Sequence, residues 1–209
     1  MFTGLIEHLG RVESLEPIES GYRLVLAAAV AADLRDGDSI AVNGVCLTVV
    51  QQDGSRFATE LGPETARVTT LGALRPGALV NLERPMRPDG RMGGHFVLGH
   101  VDCQGVLTDI RAAGEFWWIT VAFDAALAPY FIPKGSVAVD GISLTVASLR
   151  ETEFDVQIIP FTWEHTNLQA SRPGDGVNLE VDVIGKYVVR VAQLSGAGPA
   201  GGPAPLPLP

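Results

Sequence analysis

The sequence predicts an all-β protein built from two tandem barrels of six antiparallel strands each, followed by a short C-terminal helix. Three observations carry that prediction. The stretch DGDSIAVNGVCLTVV at 36–50 returns as PKGSVAVDGISLTVA at 133–147, an offset of 97. RPGALVNLER (75–84) and RPGDGVNLEV (172–181) keep the same offset, as do TARVTTL (65–71) and TWEHTNL (162–168). Such a period is far above the solenoid range, so one whole fold has been duplicated. Second, short Val, Ile, Leu and Thr runs alternate with Gly, Asp, Asn and Pro turn signals, as in a sandwich or barrel. Third, Ile184, Val188, Val191 and Leu194 recur at helical spacing after the last strand signal.

Taken in order, the first copy offers strands at 5–14, 22–27, 39–42, 45–51, 56–61 and 79–83. The second offers 101–110, 116–123, 136–139, 142–148, 153–159 and 176–181. Six short antiparallel strands per copy suit a small closed barrel, which leaves no sheet edge exposed. Helical signals are few: 63–68, its counterpart 162–167, and 126–130. A Pro-, Gly- and charge-rich linker spans 85–94. The expected organisation is therefore a first barrel over 1–88, a second over 95–183, a helix over 184–195, and a disordered Gly/Ala/Pro tail over 196–209. Three valines in the helix lower its local propensity.

Composition narrows the function. A net charge of −9 disfavours nucleic acid or an anionic membrane as partner, because both call for a basic surface. The longest apolar run, 24–32, is too short to span a bilayer. MFTGLIEHLG has no basic stretch followed by an apolar one, so no secretory signal is expected. Two cysteines, one per copy, make no disulfide framework and suit a cytoplasmic protein.

The repeated strand reads by its two-residue period. Val45, Leu47 and Val49 share a core face in the first copy; Ile142, Leu144 and Val146 do so in the second. The opposite face carries Cys46 and Thr48 in one copy, Ser143 and Thr145 in the other. A solvated strand face would explain Ser and Thr, but a cysteine favours cover, so a pocket wall of short polar groups is the better account. His95 and His100 enter the second copy where the first has Met1 and Leu5. Histidine carries protons near neutral pH, although a structural role competes. His100 and Cys103 could begin a metal site, but no further ligands at suitable spacing accompany them. The Gly-rich run 90–99 lacks the strand–GxGxxG–helix setting of a dinucleotide site. Lys134 is either a pocket cation or a turn lysine. Asp182 has no acidic counterpart in the first copy, where Pro85 stands.

MFTGLIE, the paired VNGVCLTV and VDGISLTV, GGHFVLGHVD and NLEVDVIGKYV together resemble the riboflavin synthase family of the trimeric, alpha-chain type, over about residues 1–190. The resemblance implies two Greek-key barrels and a C-terminal helix that mediates a homotrimer. It implies dismutation of two 6,7-dimethyl-8-ribityllumazine molecules, both held in one active site, into riboflavin and 5-amino-6-ribitylaminouracil, without cofactor or metal. In the family, the reacting pair sits between the first barrel of one subunit and the second barrel of its neighbour.

Carried over by position, the resemblance implies a first pocket of Gly4, Leu5, Ile6, Cys46, Leu47, Thr48 and the turn Glu60, Leu61, Gly62, Pro63, Glu64, Thr65. The second takes Gly99, His100, Val101, Lys134, Ser143, Leu144, Thr145 and the turn Gln157, Ile158, Ile159, Pro160, Phe161, Thr162. His100 would help remove a proton from the acidic C7 methyl group while Ser143 and Thr145 position the ring. Cys46 and Thr48 would contact the partner molecule, Asp182 would hold ribityl hydroxyls, and Phe2 would help close the site. Gly62, Pro63 and Phe161 depart from the more polar residues expected there. The competing reading from another class is a non-catalytic, antenna-type lumazine- or flavin-binding protein on the same fold. A flavin-dependent reductase domain on a similar barrel has less support, since no nucleotide-binding domain follows.

Overall fold

Burial alternates along strands such as 45–49, 142–145 and 153–158, whose apolar face fills a barrel interior, while the strands 39–42, 79–83, 136–139 and 176–181 are buried almost throughout. The structure, a computed structural model, describes residues 1–196. All of the predicted tail beyond Gly196 therefore lies outside the described residues.

The first repeat closes into a barrel in the order β1-β2-β5-β4-β3-β6. Its strands are β1 (His8–Ile18), β2 (Gly21–Ala27), β3 (Ser39–Val42), β4 (Val45–Asp53), β5 (Arg56–Leu61) and β6 (Leu79–Glu83). The short helix α1 (Pro63–Val68) follows β5, with Pro63 in the first turn, where its missing N–H costs nothing.

The second repeat has β7 (Cys103–Ala113), β8 (Phe116–Ala122), β9 (Ser136–Val139), β10 (Ile142–Thr145), β11 (Ser148–Leu149), β12 (Glu153–Ile158) and β13 (Gly176–Val181). They form a curled sheet in the order β10-β9-β13-β7-β8-β12-β11. Helix α2 (Pro160–Glu164) follows β12, and α3 (Val183–Leu194) ends the described chain.

Three sequence expectations need correction. The single strand expected over 142–148 is two strands, and Val146 between them turns its backbone to the preceding loop. Its carbonyl accepts from the Lys134 amide at 2.8 Å and its amide donates to the Gly135 carbonyl at 2.9 Å. The first repeat has the same irregularity, but there it is a bulge between Val49 and Gln51 within the unbroken β4. The helix expected over 162–167 instead starts at Pro160. A separate 3-10 turn, Asn167–Ala170, begins behind Thr166, whose hydroxyl accepts from the Leu168 amide. The segment 126–130 is likewise a 3-10 turn, Ala125–Tyr130, capped by Asp124.

Each barrel has its own apolar core, around Leu24, Phe57 and Leu82 in the first and Ile119, Phe154 and Leu179 in the second. A third cluster of Phe2, Ala41, Val97 and Ala138 lies between them. There Phe2 pairs with Val97 in an antiparallel bridge, with N···O distances of 2.7 and 3.2 Å.

The segments entering the two barrels cross over. The Gly4 carbonyl accepts from the Ser143 amide of the second barrel at 2.8 Å, and the Gly99 carbonyl accepts from the Cys46 amide of the first at 2.9 Å. Ile6 packs on the second barrel's core and Val101 on the first's. This exchange is why β1 begins at His8 and β7 at Cys103, later than expected.

Two hairpin turns meet on the approximate two-fold axis relating the repeats. Asn43–Gly44 and Asp140–Gly141 all have positive φ, the conformation that makes Asn-Gly and Asp-Gly tight hairpins. A Cβ on Gly44 would lie 2.6 Å from the Gly141 nitrogen, so only glycine permits this contact. Asn81 Nδ2 donates to the Asp140 carbonyl and Asn178 Nδ2 to the Asn43 carbonyl, each at 2.9 Å.

Asn43 and Asp140 differ in one consequential way. The Asp140 carboxylate is buried, accepts from the Asn178 amide and from Asn167 Nδ2, and has its pKa pushed up to about 6 by burial. A buried acid whose native pKa is raised holds its proton more tightly when folded. Its contribution to stability therefore falls as pH climbs from 3.8 through 6. Asp140→Asn, which reproduces the residue of the first repeat, removes the titrating group but sets a donor against Asn167 Nδ2 or the Asn178 amide, so its stability relative to the wild type is expected to rise as pH climbs from about 4 to above 6. Urea unfolding at a series of pH values measures the difference.

Candidate functional site

Both copies of the repeated strand present the expected faces. Val45, Leu47 and Val49, like Ile142, Leu144 and Val146, are buried; Cys46 and Ser143 are half-buried, and Thr48 and Thr145 are exposed. The side chains of Leu47, Leu61, Leu144 and Ile158 belong to the barrel cores.

Register places the turns. β4 pairs Val49 with Thr59, and continuing that antiparallel alignment brings Glu60 level with Thr48 and Gly62 level with Cys46. In the second repeat β11 pairs Ser148 with Asp155 and β10 abuts β12, so the end of β12 and the turn after it lie beside the Ser143–Thr145 strand. Each cleft thus has a strand wall, a turn wall, and a crossing segment from the other repeat.

That third wall corrects the grouping drawn from the sequence. Gly4, Leu5 and Ile6 belong with Ser143, and Gly99, His100 and Val101 belong with Cys46. A Cβ at Gly4 would fall 2.6 Å from the Ser143 Cβ, and one at Gly99 would fall 2.5 Å from the Cys46 Cβ. Chain position alone pairs each segment with its own repeat, which is why the sequence did not reveal the exchange.

The Ser143 cleft holds the richer chemistry. His95 Nδ1 lies 2.7 Å from Ser143 Oγ, and the His95 amide donates to the Thr3 carbonyl at 3.1 Å. His95 is buried, and burial pulls its pKa down against the opposing charge of Asp182. It therefore stays neutral at neutral pH, with one ring nitrogen on Ser143 and Nε2 buried without a partner among the described residues. Lys134 has φ +65, where Gly37 of the first repeat has φ +92. A lysine held in a glycine conformation is a strained position of the kind found at functional sites. Leu5, Ile159 and Phe161 are 50, 50 and 66% exposed, and Phe161 stacks on His165. The cleft thus offers uncovered apolar surface beside the polar pair.

The other expected residues are placed differently. His100 is exposed, and its amide donates to Glu180 at 3.0 Å. Asp182 caps α3, with Oδ1 accepting from the Ile184 amide at 2.9 Å. Phe2 is fully buried in the inter-barrel cluster. Burial pushes the Cys103 thiol up to about 11, which keeps it un-ionised at neutral pH. No group of three potential metal ligands occurs among the described residues. The sequence-derived site set omitted His95, though GGHFVLGH displayed it; only its distance to Ser143 marks it out.

Comparison with known proteins fits this geometry. The model of the lumazine binding domain family matches residues 3–85 and again 98–182. Riboflavin synthase of Mycobacterium tuberculosis (strain H37Rv) is 45% identical over 203 residues, covering 94% of this chain and all of that one. The riboflavin synthase of Actinobacillus pleuropneumoniae is 42% identical, covering 90% of this chain and 88% of its own. Among solved structures, LumP complexed with riboflavin superposes with a TM-score of 0.80 at 20% identity, covering 87% of this chain and 99% of that one. At that identity the likeness concerns the fold.

The crossing contact predicts a contrast between two glycines. Gly99→Ala, with φ +80 and a Cβ forced onto Cys46, is expected to lose at least about 2 kcal/mol. Gly62→Ala, at φ −64 with nothing within 4 Å, is expected to stay near wild type. Denaturant unfolding of the two variants tests this.

Proposed function

We infer that this chain, which belongs to the riboflavin synthase family of paired lumazine-binding domains, converts two molecules of 6,7-dimethyl-8-ribityllumazine into riboflavin and 5-amino-6-ribitylaminouracil. The observation that carries the reading is one cleft built twice with unequal chemistry, in a chain about 45% identical to a riboflavin synthase over nearly its whole length. Two like substrates need two like pockets, and a reaction in which one gives a four-carbon unit to the other needs them to act differently. Holding the pair in register replaces a rare encounter with a local step. A binding-only protein on this fold is the weaker reading, because the LumP structures share only 19–20% of their residues with this chain.

In the proposed division of labour, the neutral His95 and the Ser143 hydroxyl form a proton path beside the C7 methyl group of one molecule. Thr145, Lys134 and the Gln157–Thr162 turn seat that molecule, with Leu5 and Ile6 crossing from the other repeat. Cys46, Thr48, the Glu60–Thr65 turn, Gly99 and His100 seat the second. Asp182 lies near enough to raise the pKa of His95, opposing burial, and so tunes that proton carrier.

Assembly follows the same reading. α3 leaves Ile184, Tyr187, Val188, Val191 and Leu194 more than half exposed, an apolar stripe that supports self-association as a homotrimer. The reacting pair would then lie between the first barrel of one subunit and the second barrel of the next. Two free, half-buried cysteines suit the cytoplasm. No helix among the described residues is long and apolar enough to cross a membrane.

Incubating the purified protein with 6,7-dimethyl-8-ribityllumazine is expected to generate flavin absorbance; tight binding without turnover would select the antenna-type reading. Cys46→Ala, Ser143→Ala and His95→Gln should each lose at least about tenfold in turnover while remaining folded. Because burial lowers the pKa of His95, its base form persists below pH 6.5. The acid limb of the rate profile should therefore lie below that value and vanish in His95→Gln. Light scattering should give a trimer, and Val188→Glu should dissociate it.

A further inference from the structure

Glu83 and Glu180 are two carboxylates that the proposed reaction does not use, yet both are almost wholly buried, at 5 and 2% exposure. They occupy matching places, the third residue of the repeated Asn-Leu-Glu, at the end of β6 and near the end of β13. Burying a carboxylate without a cation is costly unless several donors surround it. Neither carboxylate forms a salt bridge among the described residues. Both instead receive backbone amides from a crossing segment.

Glu83 accepts from the Thr3 amide at 2.7 Å, the Thr3 hydroxyl at 2.9 Å and the Gly4 amide at 3.0 Å. Glu180 accepts from the amides of Leu98, Gly99 and His100 at 2.6, 3.0 and 3.0 Å. Charge-assisted bonds of this kind are short and directional, so each carboxylate fixes a few residues of main chain in one position. The residues fixed are the third wall of a cleft. Gly4 then abuts Ser143 in the second barrel, and Gly99 abuts Cys46 in the first.

We propose that Glu83 and Glu180 are positioning residues acting crosswise: Glu83, on the first barrel, sets the geometry of the Ser143 pocket, and Glu180, on the second, sets that of the Cys46 pocket. The inference rests on the reading of these clefts as the reacting pockets. A carboxylate that served the fold alone would, on removal, weaken both pockets equally and lower stability without preference. A positioning carboxylate impairs one pocket, and the one on the opposite barrel. Glutamine is an informative replacement, because it keeps the volume but turns one acceptor into a donor facing an amide.

The test uses the full chain and two readouts. Amide hydrogen exchange in Glu180→Gln is expected to speed up at least tenfold at Leu98, Gly99 and His100 and to be unchanged at Thr3 and Gly4; Glu83→Gln should show the converse. Turnover double-mutant cycles are expected to be non-multiplicative for Glu180→Gln with Cys46→Ala and multiplicative with Ser143→Ala, and the reverse for Glu83→Gln. Unchanged exchange at the clamped amides, or coupling to the pocket on the same barrel, overturns the proposal. If the glutamine variants do not fold, Glu→Asp variants carry the same measurements. Absence of wild-type turnover would count against the synthase reading alone, and the cycles would then be read on affinity for 6,7-dimethyl-8-ribityllumazine.

Discussion

Two main-chain hydrogen bonds, Ser143 to Gly4 and Cys46 to Gly99, decide what kind of molecule this is. Without them each repeated strand would keep an open face, and the repeats would be joined mainly by the asparagine network at the two hairpins and the Phe2–Val97 bridge. With them, each barrel completes the other. The bonds work because glycine stands at both crossing points, where any side chain would collide with the strand beneath. They also need the crossing segments held at the correct height, which the buried glutamates and the Phe2–Val97 bridge provide. The central cluster of Phe2, Ala41, Val97 and Ala138 can be small because polar contacts do most of the aligning around it.

The two repeats are alike in backbone and unalike in proton chemistry. Both bend at the same places, with matching bulges at Val12–Ser14 and Leu107–Asp109. Yet Asn43 corresponds to Asp140, Gly37 to Lys134, and Cys46 to Ser143. Each replacement puts a charged or protic group on the second copy where the first is neutral, conformationally relaxed or a thiol. A buried histidine next to that serine extends the trend. Geometry is shared because two similar molecules must fit; chemistry is divided because they must behave differently.

Much of the architecture was legible in the residues. The offset of 97 exposed the duplication, and the two-residue period of VCLTV and ISLTV separated the buried face from the more exposed one. The strand break at Val146 was not legible, because the two copies share one side-chain pattern and the same pair of loop bonds, at Val49 and at Val146, and only the second is interrupted. Nor was the exchange of entry segments. Hydrophobic periodicity shows which way a strand faces, but not which of two equivalent surfaces it lies on. Ile6 and Val101 are ordinary core residues by type; only packing reveals that each belongs to the other repeat's core. GGHFVLGH offered both His95 and His100, and the family resemblance gave the proton role to His100, while the histidine that touches Ser143 is His95.

The crossing has a consequence for symmetry. Residue i of one repeat contacts residue j of the other, and j of the first contacts i of the second, at Asn43–Asn178 and Asp140–Asn81 as at Gly4–Ser143 and Gly99–Cys46. That is the rule of an isologous interface between identical subunits, written here inside one polypeptide. A single repeat with this strand arrangement is self-complementary, and two separate copies could trade their entry segments as these halves do. The crossing contacts themselves would be available to such a pair. Joining the copies makes the halves distinguishable, so that Asp140, Lys134 and Ser143 can differ from their counterparts without being imposed on both.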